Sequence, residues 1–302
     1  MTKKKKGKES EPEPEAVETV EAPSEDILEF DKTAKDDKPG ISLSFKTTKA
    51  DMTAFLDIIG AVNDEFTMNV SKSGMKIHRV DPAHVCMVRL DIPKDYFEDW
   101  KYKADKGFID GVAVTGDTEY RIGVELSKLK EFLKSFGRSD EVEFSYDSHT
   151  HKMLFKVGRV KRRIAELDTT GLMDPKLPDL NLKTTIKLKN SHLSEAIRAV
   201  GQVSDHIRIT ASKNGMIAKG EGNTDDVEIP YGKIDGVEVS GDSCVSLFPL
   251  DYLNSFTNCI SDSTELEIQT GSDYPMKVEF SISRNGTKFE CVYMLAPRIE
   301  AD

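Results

Sequence analysis

One sequence pattern occurs twice in the chain, as AVNDEFTMNVSKSGM at Ala61–Met75 and as QVSDHIRITASKNGM at Gln202–Met216. This repeat is the main basis for predicting the fold. Val, Asp, Ser, Lys, Gly and Met recur at the same relative positions, and Gly60 and Gly201 precede the two stretches at the same spacing. Alternating residues that lead into a Ser-Lys-x-Gly turn predict a β-hairpin in each stretch. Because the repeat is longer than the unit of a solenoid, it favours two duplicated domains.

The remainder of each half has the same order of predicted elements. Apolar residues at helical spacing predict four helices, and runs of alternating residues around them predict strands. The predicted helices are Asp51–Gly60, Ser127–Phe136, Ser191–Gly201 and Leu250–Thr257. The order is β-α-β-β-β, twice in each domain, which indicates an α+β fold and not a doubly wound βαβ sheet.

Composition divides the chain into four segments. Residues 1–40 begin with a lysine run and continue with Glu, Pro and Asp, which predicts a disordered charged tail. Its basic start, Lys3–Lys8, is either part of a solubilising extension or a weak DNA-touching or targeting arm. Residues 41–167 and 183–302 are the two predicted domains, and a Gly and two Pro residues indicate a connector over residues 168–182.

The composition restricts the class of protein. The 302 residues suffice for two domains with sizeable cores. The net charge of −11 argues at first against a nucleic-acid binder, although net charge does not say where the cations lie. No apolar run is long enough to predict a membrane span, and the N-terminus has no apolar core of a secretory signal. The four cysteines form no CxxC pair, so we expect reduced, mostly buried thiols.

The candidates for enzyme chemistry are weak. His149 and His151 fall in a predicted hairpin turn, where no Cys or Glu cluster completes a metal site. His78, Asp81 and His84 lack a nucleophile in a recognisable signature. The chain has no GxxxxGK[ST] run and no GxGxxG run. We therefore expect no catalytic residue, no metal and no cofactor.

Four stretches together resemble a known family. They are VDPAHVCMVRL (Val80–Leu90), LMDPKLPDLNL (Leu172–Leu182), SDYPMKVEFSI (Ser272–Ile282) and VYMLAPRIE (Val292–Glu300). They resemble proliferating cell nuclear antigen (PCNA), the archaeal and eukaryotic DNA sliding clamp, and the resemblance runs from about Ile41 to Asp302. It implies the DNA clamp fold, in which each subunit has two similar domains and the subunits close head-to-tail into a trimeric ring. Sheets form the outside of that ring and helices line the inside.

The function that the resemblance implies is that of a DNA polymerase processivity factor. Such a ring encircles duplex DNA without reading its sequence and tethers replication and repair proteins to it. Two features depart from the family pattern. One is the charged tail, and the other is an insertion at Lys101–Thr118, of which Lys106–Thr118 is predicted to be an extended hairpin loop.

Cations on the predicted helices are candidates for the inner wall. Lys130 and Lys134 lie four residues apart, on the face opposite the apolar residues. With the resemblance, the residues expected to face DNA are Lys49, Lys128, Lys130, Lys134, Arg138, His192 and Arg198. Asp51 and Asp57 occupy positions where family members commonly carry lysines, so we expect weak DNA contact there. The alternative is that all of these are ordinary solvated helix faces.

Two segments of opposite charge are candidates for the contact between subunits. GRVKRRIAEL carries Arg159, Lys161, Arg162 and Arg163, and TDDVEIPY carries Asp225, Asp226 and Glu228. The resemblance implies that these are the facing edge strands, and their charges would steer a head-to-tail contact that can close a ring. Alternatively, Lys161–Arg163 is a basic DNA patch.

The resemblance also implies an apolar hollow beneath the connector. Its residues would be Val80, His84, Val85, Leu172, Met173, Leu177, Leu180, Pro275, Met294, Ala296 and Pro297. The partners would be a DNA polymerase, a flap nuclease, a ligase and a clamp loader, each through a short peptide with apolar anchors. An extended part of that peptide would pair with the backbone of residues 296–300. Val85 and Leu180 could each be core residues instead.

Three interpretations of the chain remain open from the sequence. The first is a homotrimeric clamp. The second is either one subunit of a heteromeric clamp, including a checkpoint-type clamp, or a viral processivity factor that acts without a closed ring. The third is a small enzyme on a duplicated α+β scaffold. Opposite charges on two segments of one chain favour self-assembly. The expected location is the cytoplasm, at the nucleoid, in an archaeon and the nucleus in a eukaryote.

Overall fold

A computed structural model describes residues 40–105, 107–109, 112–114, 118–172, 175–176, 178–284 and 286–299, with backbone only for 107–109 and 112–114. The predicted tail lies outside the described residues, apart from Gly40. So do Met173 and Leu177 of the expected hollow.

In the part of the first half that the structure describes there are eleven strands and two α-helices. In chain order they are β1 (Ile41–Thr48), α1 (Lys49–Gly60), β2 (Glu65–Ser71), β3 (Gly74–Val80), β4 (Cys86–Pro93), β5 (Glu98–Ala104), β6 (Gly107–Ile109), β7 (Val112–Val114), β8 (Tyr120–Glu125), α2 (Leu126–Leu133), β9 (Glu141–Asp147), β10 (Lys152–Val157) and β11 (Val160–Ala165).

The second half repeats this order without the β6–β7 hairpin. Its elements are β12 (Thr184–Lys189), α3 (Asn190–Val200), β13 (His206–Ser212), β14 (Gly215–Glu221), β15 (Asp226–Tyr231), β16 (Glu238–Gly241), β17 (Cys244–Pro249), α4 (Leu250–Thr257), β18 (Glu265–Thr270), β19 (Met276–Arg284) and β20 (Thr287–Leu295). The predicted β-α-β-β-β units are confirmed, with β5 as a further strand in the first half, besides the β6–β7 hairpin, and β16 as a further strand in the second. The exact domain boundaries stay a prediction.

The strands form three large antiparallel sheets and the small β6–β7 hairpin. One sheet has the order β11-β10-β9-β1-β5, and another has the order β15-β14-β13-β17. The third has nine strands, β16-β12-β18-β19-β20-β4-β3-β2-β8, and spans both halves because β20 pairs with β4. The described part of each half therefore shares one sheet with the other half.

The hairpin repeat has a steric cause. Gly74 and Gly215, the Gly of each Ser-Lys-x-Gly turn, have φ angles of 141° and 137°. A Cβ atom would lie 2.2 Å from the Ile92 carbonyl oxygen at the first position and 2.1 Å from the Tyr231 carbonyl oxygen at the second. Only glycine fits this close approach of a neighbouring backbone, so the same turn requires the same residue in both halves.

The predicted insertion needs a correction at its start. Residues 101–104 belong to β5, which pairs with β1 in the register Ile41↔Ala104 to Ser44↔Lys101. Beyond β5, the backbone of β6 and β7 pairs as an antiparallel hairpin, as expected. β5 alternates exposed lysines with the buried Tyr102, which is ordinary for an edge strand.

Candidate functional site

The basic and acidic segments both form sheet edges. β11 pairs with β10, and β15 pairs with β14; neither has a second strand partner among the described residues. An edge strand presents backbone N–H and C=O groups that a further strand can pair with. The two segments thus have the geometry that a strand-to-strand contact between subunits requires.

Side chains on the basic edge differ in what they contact. Lys161 and Arg163 are exposed, as is Arg159 just before the strand. Arg162 is half-buried, and its Nη2 lies 3.2 Å from Oε2 of Glu131 on α2. Val160 has 49% of its surface exposed, so the start of the strand also presents an apolar side chain.

The acidic edge exposes carboxylates and covers its apolar residues. Asp225, Asp226 and Glu228 are exposed, and Tyr231 at the end of β15 is buried. The Lys219 pKa is raised, chiefly by its hydrogen bond to Glu221 and also by the charges of Asp226 and Glu228. The side chains that alternate along β15 therefore give this edge a negative field.

The four helices form two packed pairs, α1 with α2 and α3 with α4. Their expected DNA-facing residues fall into two groups. Lys134, Arg138 and Arg198 are exposed. Lys128 is exposed too, but its Nζ lies 2.5 Å from a carboxylate oxygen of Glu125, and Nζ of the half-buried Lys130 lies 2.8 Å from Oδ1 of Asp57. Lys49 is half-buried as the first residue of α1.

His192 is not the open helix-face cation that the sequence suggested. Its ring packs against the ring of Tyr231, with a centroid distance of 5.5 Å, and its backbone oxygen accepts a hydrogen bond from the Tyr231 hydroxyl. His192 therefore supports the acidic edge strand β15. Sequence spacing could not reveal this contact because it depends on how α3 packs against the sheet.

The acidic residues of α1 have cationic partners, and the weak DNA contact expected there stays a prediction. Asp51 does not stand alone on the helix face, since its Oδ2 lies 3.0 Å from Nε of Arg284 at the end of β19. The same guanidinium lies 2.9 Å from Glu98 and donates to Thr47 Oγ1 at 3.0 Å. Asp51 thus takes part in a contact between the two halves, and Asp57 is paired with Lys130.

Two residues expected in the apolar hollow lie on neighbouring strands, with one further side chain between them. Val80 on β3 pairs with Met87 on β4, and Met87 pairs with Met294 on β20. Cross-strand partners lie on the same face of a sheet, so these three side chains are neighbours. Met294 is only 6% exposed. It is therefore a nearly buried side chain, and its place in the floor of the expected hollow stays a prediction.

Met87 was missed at the level of sequence. It lies between the buried residues Cys86 and Val88, which point to the main core. Successive side chains of a strand point to opposite faces, so Met87 must point away from that core. This alternation in the stretch that carries His84 could have identified it.

The residues expected at the rim of the hollow lie in the β3–β4 turn, at the two ends of the β19–β20 hairpin and in the connector. His84 is exposed on the turn between β3 and β4, with a φ angle of 59°, and Val85 next to it is half-buried against the core. Pro275 and Pro297 are half-buried on either side of the β19–β20 hairpin. Leu172 and Leu180 of the connector are half-buried too, and the carbonyl oxygen of Leu172 accepts a hydrogen bond from Arg121 on β8.

The segment after β20 is already paired within the chain. The Ala296 N–H donates to the Val85 carbonyl oxygen, and the Arg298 N–H donates to the Leu247 carbonyl oxygen, each at 2.8 Å. The expected pairing of a peptide with residues 296–300 stays a prediction, since these two hydrogen bonds engage one edge of the segment. Strand alternation leaves only the other edge, at Pro297 and Ile299, and Pro297 has no N–H to donate. Ile299 is 73% exposed.

The features weighed for other functions have plain structural roles. His149 and His151 lie in the β9–β10 turn, where Nδ1 of His151 lies 2.8 Å from Oε1 of Glu166. The described residues contain no group of three or more side chains suited to hold a metal ion. All four cysteines are free thiols, and burial raises the pKa of Cys86 to about 12. No helix in the described segments is long and apolar enough to cross a membrane.

Comparisons with known proteins agree with this geometry. The family model for the proliferating cell nuclear antigen N-terminal domain matches residues 42–175, and the model for its C-terminal domain matches residues 176–298. A curated protein named DNA polymerase sliding clamp, from Methanococcoides burtonii, is 30% identical over 84% of this chain and 99% of its own length. One of the same name from Thermoplasma acidophilum is 29% identical over 86% of this chain and 98% of its own.

A solved structure shares both the fold and part of the sequence. It is described as the C-terminal region of FEN-1 bound to A. fulgidus PCNA, and it superposes with a TM-score of 0.74. It is 27% identical to this chain and covers 86% of it and 100% of the solved chain.

The duplicated half, the two sheet-edge strands and the shared sheet define a DNA clamp fold. The matches to both family models and to the curated clamps identify the family more closely. The chain belongs to the proliferating cell nuclear antigen family, the DNA polymerase sliding clamps, which are non-enzymatic processivity factors.

Proposed function

We propose that three copies of this chain close head-to-tail into a ring, in which β11 of each copy pairs with β15 of the next. The observation that carries this proposal is that one chain has two edge strands of opposite charge, at the ends of different sheets. A contact between unlike surfaces is heterologous and forms a ring when its rotation closes. The resulting ring acts as a processivity factor and catalyses nothing itself.

The solution mass tests this proposal. Light scattering over a range of protein concentrations at moderate salt should give a constant mass of about three times the 33.7 kDa subunit. A stable monomer or dimer would contradict self-closure and support a heteromeric or open clamp, whose partner subunits would then be sought by co-purification.

The exposed cations of the helices support a DNA-facing role for the inner wall. Lys134, Arg138 and Arg198 carry the role in this proposal, with a smaller part for Lys128 and Lys130, which already contact carboxylates, and for the half-buried Lys49. His192 is left out because its ring packs on Tyr231. A ring that holds DNA by encircling it needs only weak, sequence-independent phosphate contacts, and these allow sliding.

The apolar hollow is proposed to bind short peptides of proteins that act on DNA. Its floor of Val80, Met87 and Met294 is apolar, and the rim contributes His84 and Pro297. The similar solved structure holds the C-terminal region of FEN-1, which supports a peptide ligand of this kind. Polymerase, flap nuclease, ligase and clamp loader are the proposed partner classes. The protein would work on DNA in the cytoplasm of an archaeon or the nucleus of a eukaryote.

A further inference from the structure

The turn that carries His84 is organised around one buried carboxylate. Asp81 is 4% exposed, and its Oδ1 accepts the backbone N–H groups of Val85 at 2.7 Å and Cys86 at 2.6 Å. Its Oδ2 accepts the N–H of Ala83 at 3.0 Å. These three hydrogen bonds, together with the His84 N–H to the Asp81 carbonyl oxygen at 3.0 Å, fix the path of the turn. His84 is held in the left-handed region as a result.

A fourth donor to this carboxylate comes from the other half of the chain. The hydroxyl of Tyr252, on α4, donates to Oδ2 of Asp81 at 3.0 Å. Tyr252 is itself fixed, since its carbonyl oxygen accepts a hydrogen bond from the Tyr293 hydroxyl at 3.1 Å. Burial and the hydrogen bond to Asp81 raise the Tyr252 pKa to about 12, so the hydroxyl keeps its proton and remains a donor at neutral pH.

The second half therefore holds the turn at two points. Tyr252 holds Asp81 at the start of the turn, and the Ala296 N–H holds the Val85 carbonyl oxygen at its end, at 2.8 Å. His84 lies between these points, on the rim of the apolar hollow. Tyr252 itself lines an open groove of about 680 Å³ with Arg198 and Asn254, outside the hollow.

We infer that Tyr252 is a positioning residue for peptide binding, which acts through Asp81 to keep the His84 turn in the shape that completes the rim. Because the rim is formed before the peptide arrives, binding does not have to order it, and preorganisation of this kind increases affinity. The inference rests on the proposed peptide-binding function and deepens it, since Tyr252 is not among the residues assigned to the hollow and acts through its hydrogen bond to Asp81.

Tyr252→Phe tests the inference, because it removes the hydroxyl and keeps the ring. The probe is the FEN-1 C-terminal peptide of the solved complex, with affinity measured by calorimetry. We expect about tenfold weaker binding, the size of one hydrogen bond to a charged group, with an unchanged solution mass. The matched control is Tyr102→Phe, which removes a hydroxyl that donates to the Thr118 carbonyl oxygen at 2.6 Å, and it should bind as the parent does.

A double-variant cycle separates positioning from a general loss of structure. Asp81→Asn keeps an acceptor oxygen but weakens its bonds to the turn. If Tyr252 acts through Asp81, the double variant should bind no more weakly than Asp81→Asn alone. Hydrogen exchange at Val85 and Cys86 should also be faster in free Tyr252→Phe than in the Tyr102→Phe control.

Three results would overturn the inference. Two of them refute only the positioning role, and the third refutes the proposed peptide-binding function as well. Unchanged affinity of Tyr252→Phe, or effects that simply add in the double variant, refute positioning while leaving the peptide site intact. No binding by the parent protein itself refutes the peptide-binding function, and the positioning role falls with it.

Discussion

At the scale of single residues, the proposed hollow would depend on side chains that can adapt. Met87 and Met294 are unbranched and flexible, so they can adjust to different apolar anchors without a change of backbone. Pro297 on the proposed rim is more rigid. It lies in the segment after β20, at the backbone edge that does not carry the hydrogen bonds donated by Ala296 and Arg298. A charge at this position would have to be buried by any peptide that fills the hollow.

We expect Pro297→Glu to lower the affinity for the FEN-1 peptide by at least about tenfold, because the carboxylate would lose water on binding. Fluorescence anisotropy with a labelled peptide measures the change, and light scattering should show an unchanged mass. Ile217→Glu is the control, since it places the same charge on a partly exposed position of β14. Loss of both peptide binding and assembly would mean that the hollow lies elsewhere.

The sequence could predict the role of a residue where that role follows from alternation within its own strand. It could not predict roles that depend on contacts between residues far apart in the chain. Alternation around Cys86 and Val88 is enough to assign Met87. The pairing of Asp51 with Arg284 is different, because these residues are far apart in the chain and meet only after both halves fold. His192 against Tyr231 is a similar case.

At the scale of elements, the edge strands β11 and β15 are the most consequential. A free edge is an aggregation hazard unless a specific strand pairs with it or charge protects it. Here the exposed side chains are basic on one edge and acidic on the other, so like edges repel and unlike edges attract. The same charges thus promote the intended pairing and disfavour others.

Reversal of two charges on β11 should therefore split the assembly. We expect Lys161→Glu with Arg163→Glu to give a mass near that of one subunit at low concentration, because both exposed side chains would face carboxylates. Adding Asp226→Lys and Glu228→Lys should restore the larger mass. Lys101→Glu with Lys103→Glu changes the opposite edge of the same sheet, at β5, and should leave the mass unchanged.

Element types followed from periodicity better than element ends did. The predicted α4 has the observed bounds, whereas α2 ends at Leu133 and not at Phe136. The last turn of α2 gives way to an irregular connection whose backbone bonds to α1, with the Ala50 N–H donating to the Arg138 carbonyl oxygen at 2.9 Å. Such a tertiary contact leaves no periodic signal in the sequence.

At the scale of the whole molecule, the positive charge that matters is a small part of an acidic protein. The net charge of −11 would repel DNA in a protein without a separate inner wall. If Lys134, Arg138 and Arg198 line that wall, each subunit brings the same few cations to the duplex. Weak affinity per subunit is then compatible with retention, because encirclement and not contact strength keeps the ring on DNA.

Replacement of these three residues by alanine should reduce the salt dependence of DNA binding. The slope of log K against log salt concentration is negative, and we expect its magnitude to decrease by about 0.9 for each phosphate that the variant no longer neutralises. Binding to a short duplex can be followed by anisotropy at several salt concentrations. Alanine at Lys101, Lys103 and Lys213, which are exposed but not on the helices, should leave the slope as it was.

The sequence repeat predicted two similar halves but not how they join. The β4–β20 ladder pairs Cys86 with Leu295 and Asp91 with Glu290, residues from different halves of the chain. Nothing local to either strand specifies that partner, since both strands carry the same alternating pattern. The shared nine-stranded sheet is therefore a property of the assembled molecule.

This shared sheet has a mechanical consequence for a closed ring. Each subunit would act as a stiff arc, because its two halves are joined by a full β-ladder, a continuous core and the Arg284 contacts. Successive arcs would be joined by single edge strands whose charges weaken as salt screens them. When stiff and compliant springs are connected in series, the strain collects in the compliant ones. A bending load on the ring is thus expected to open a joint between subunits and to leave each arc undeformed.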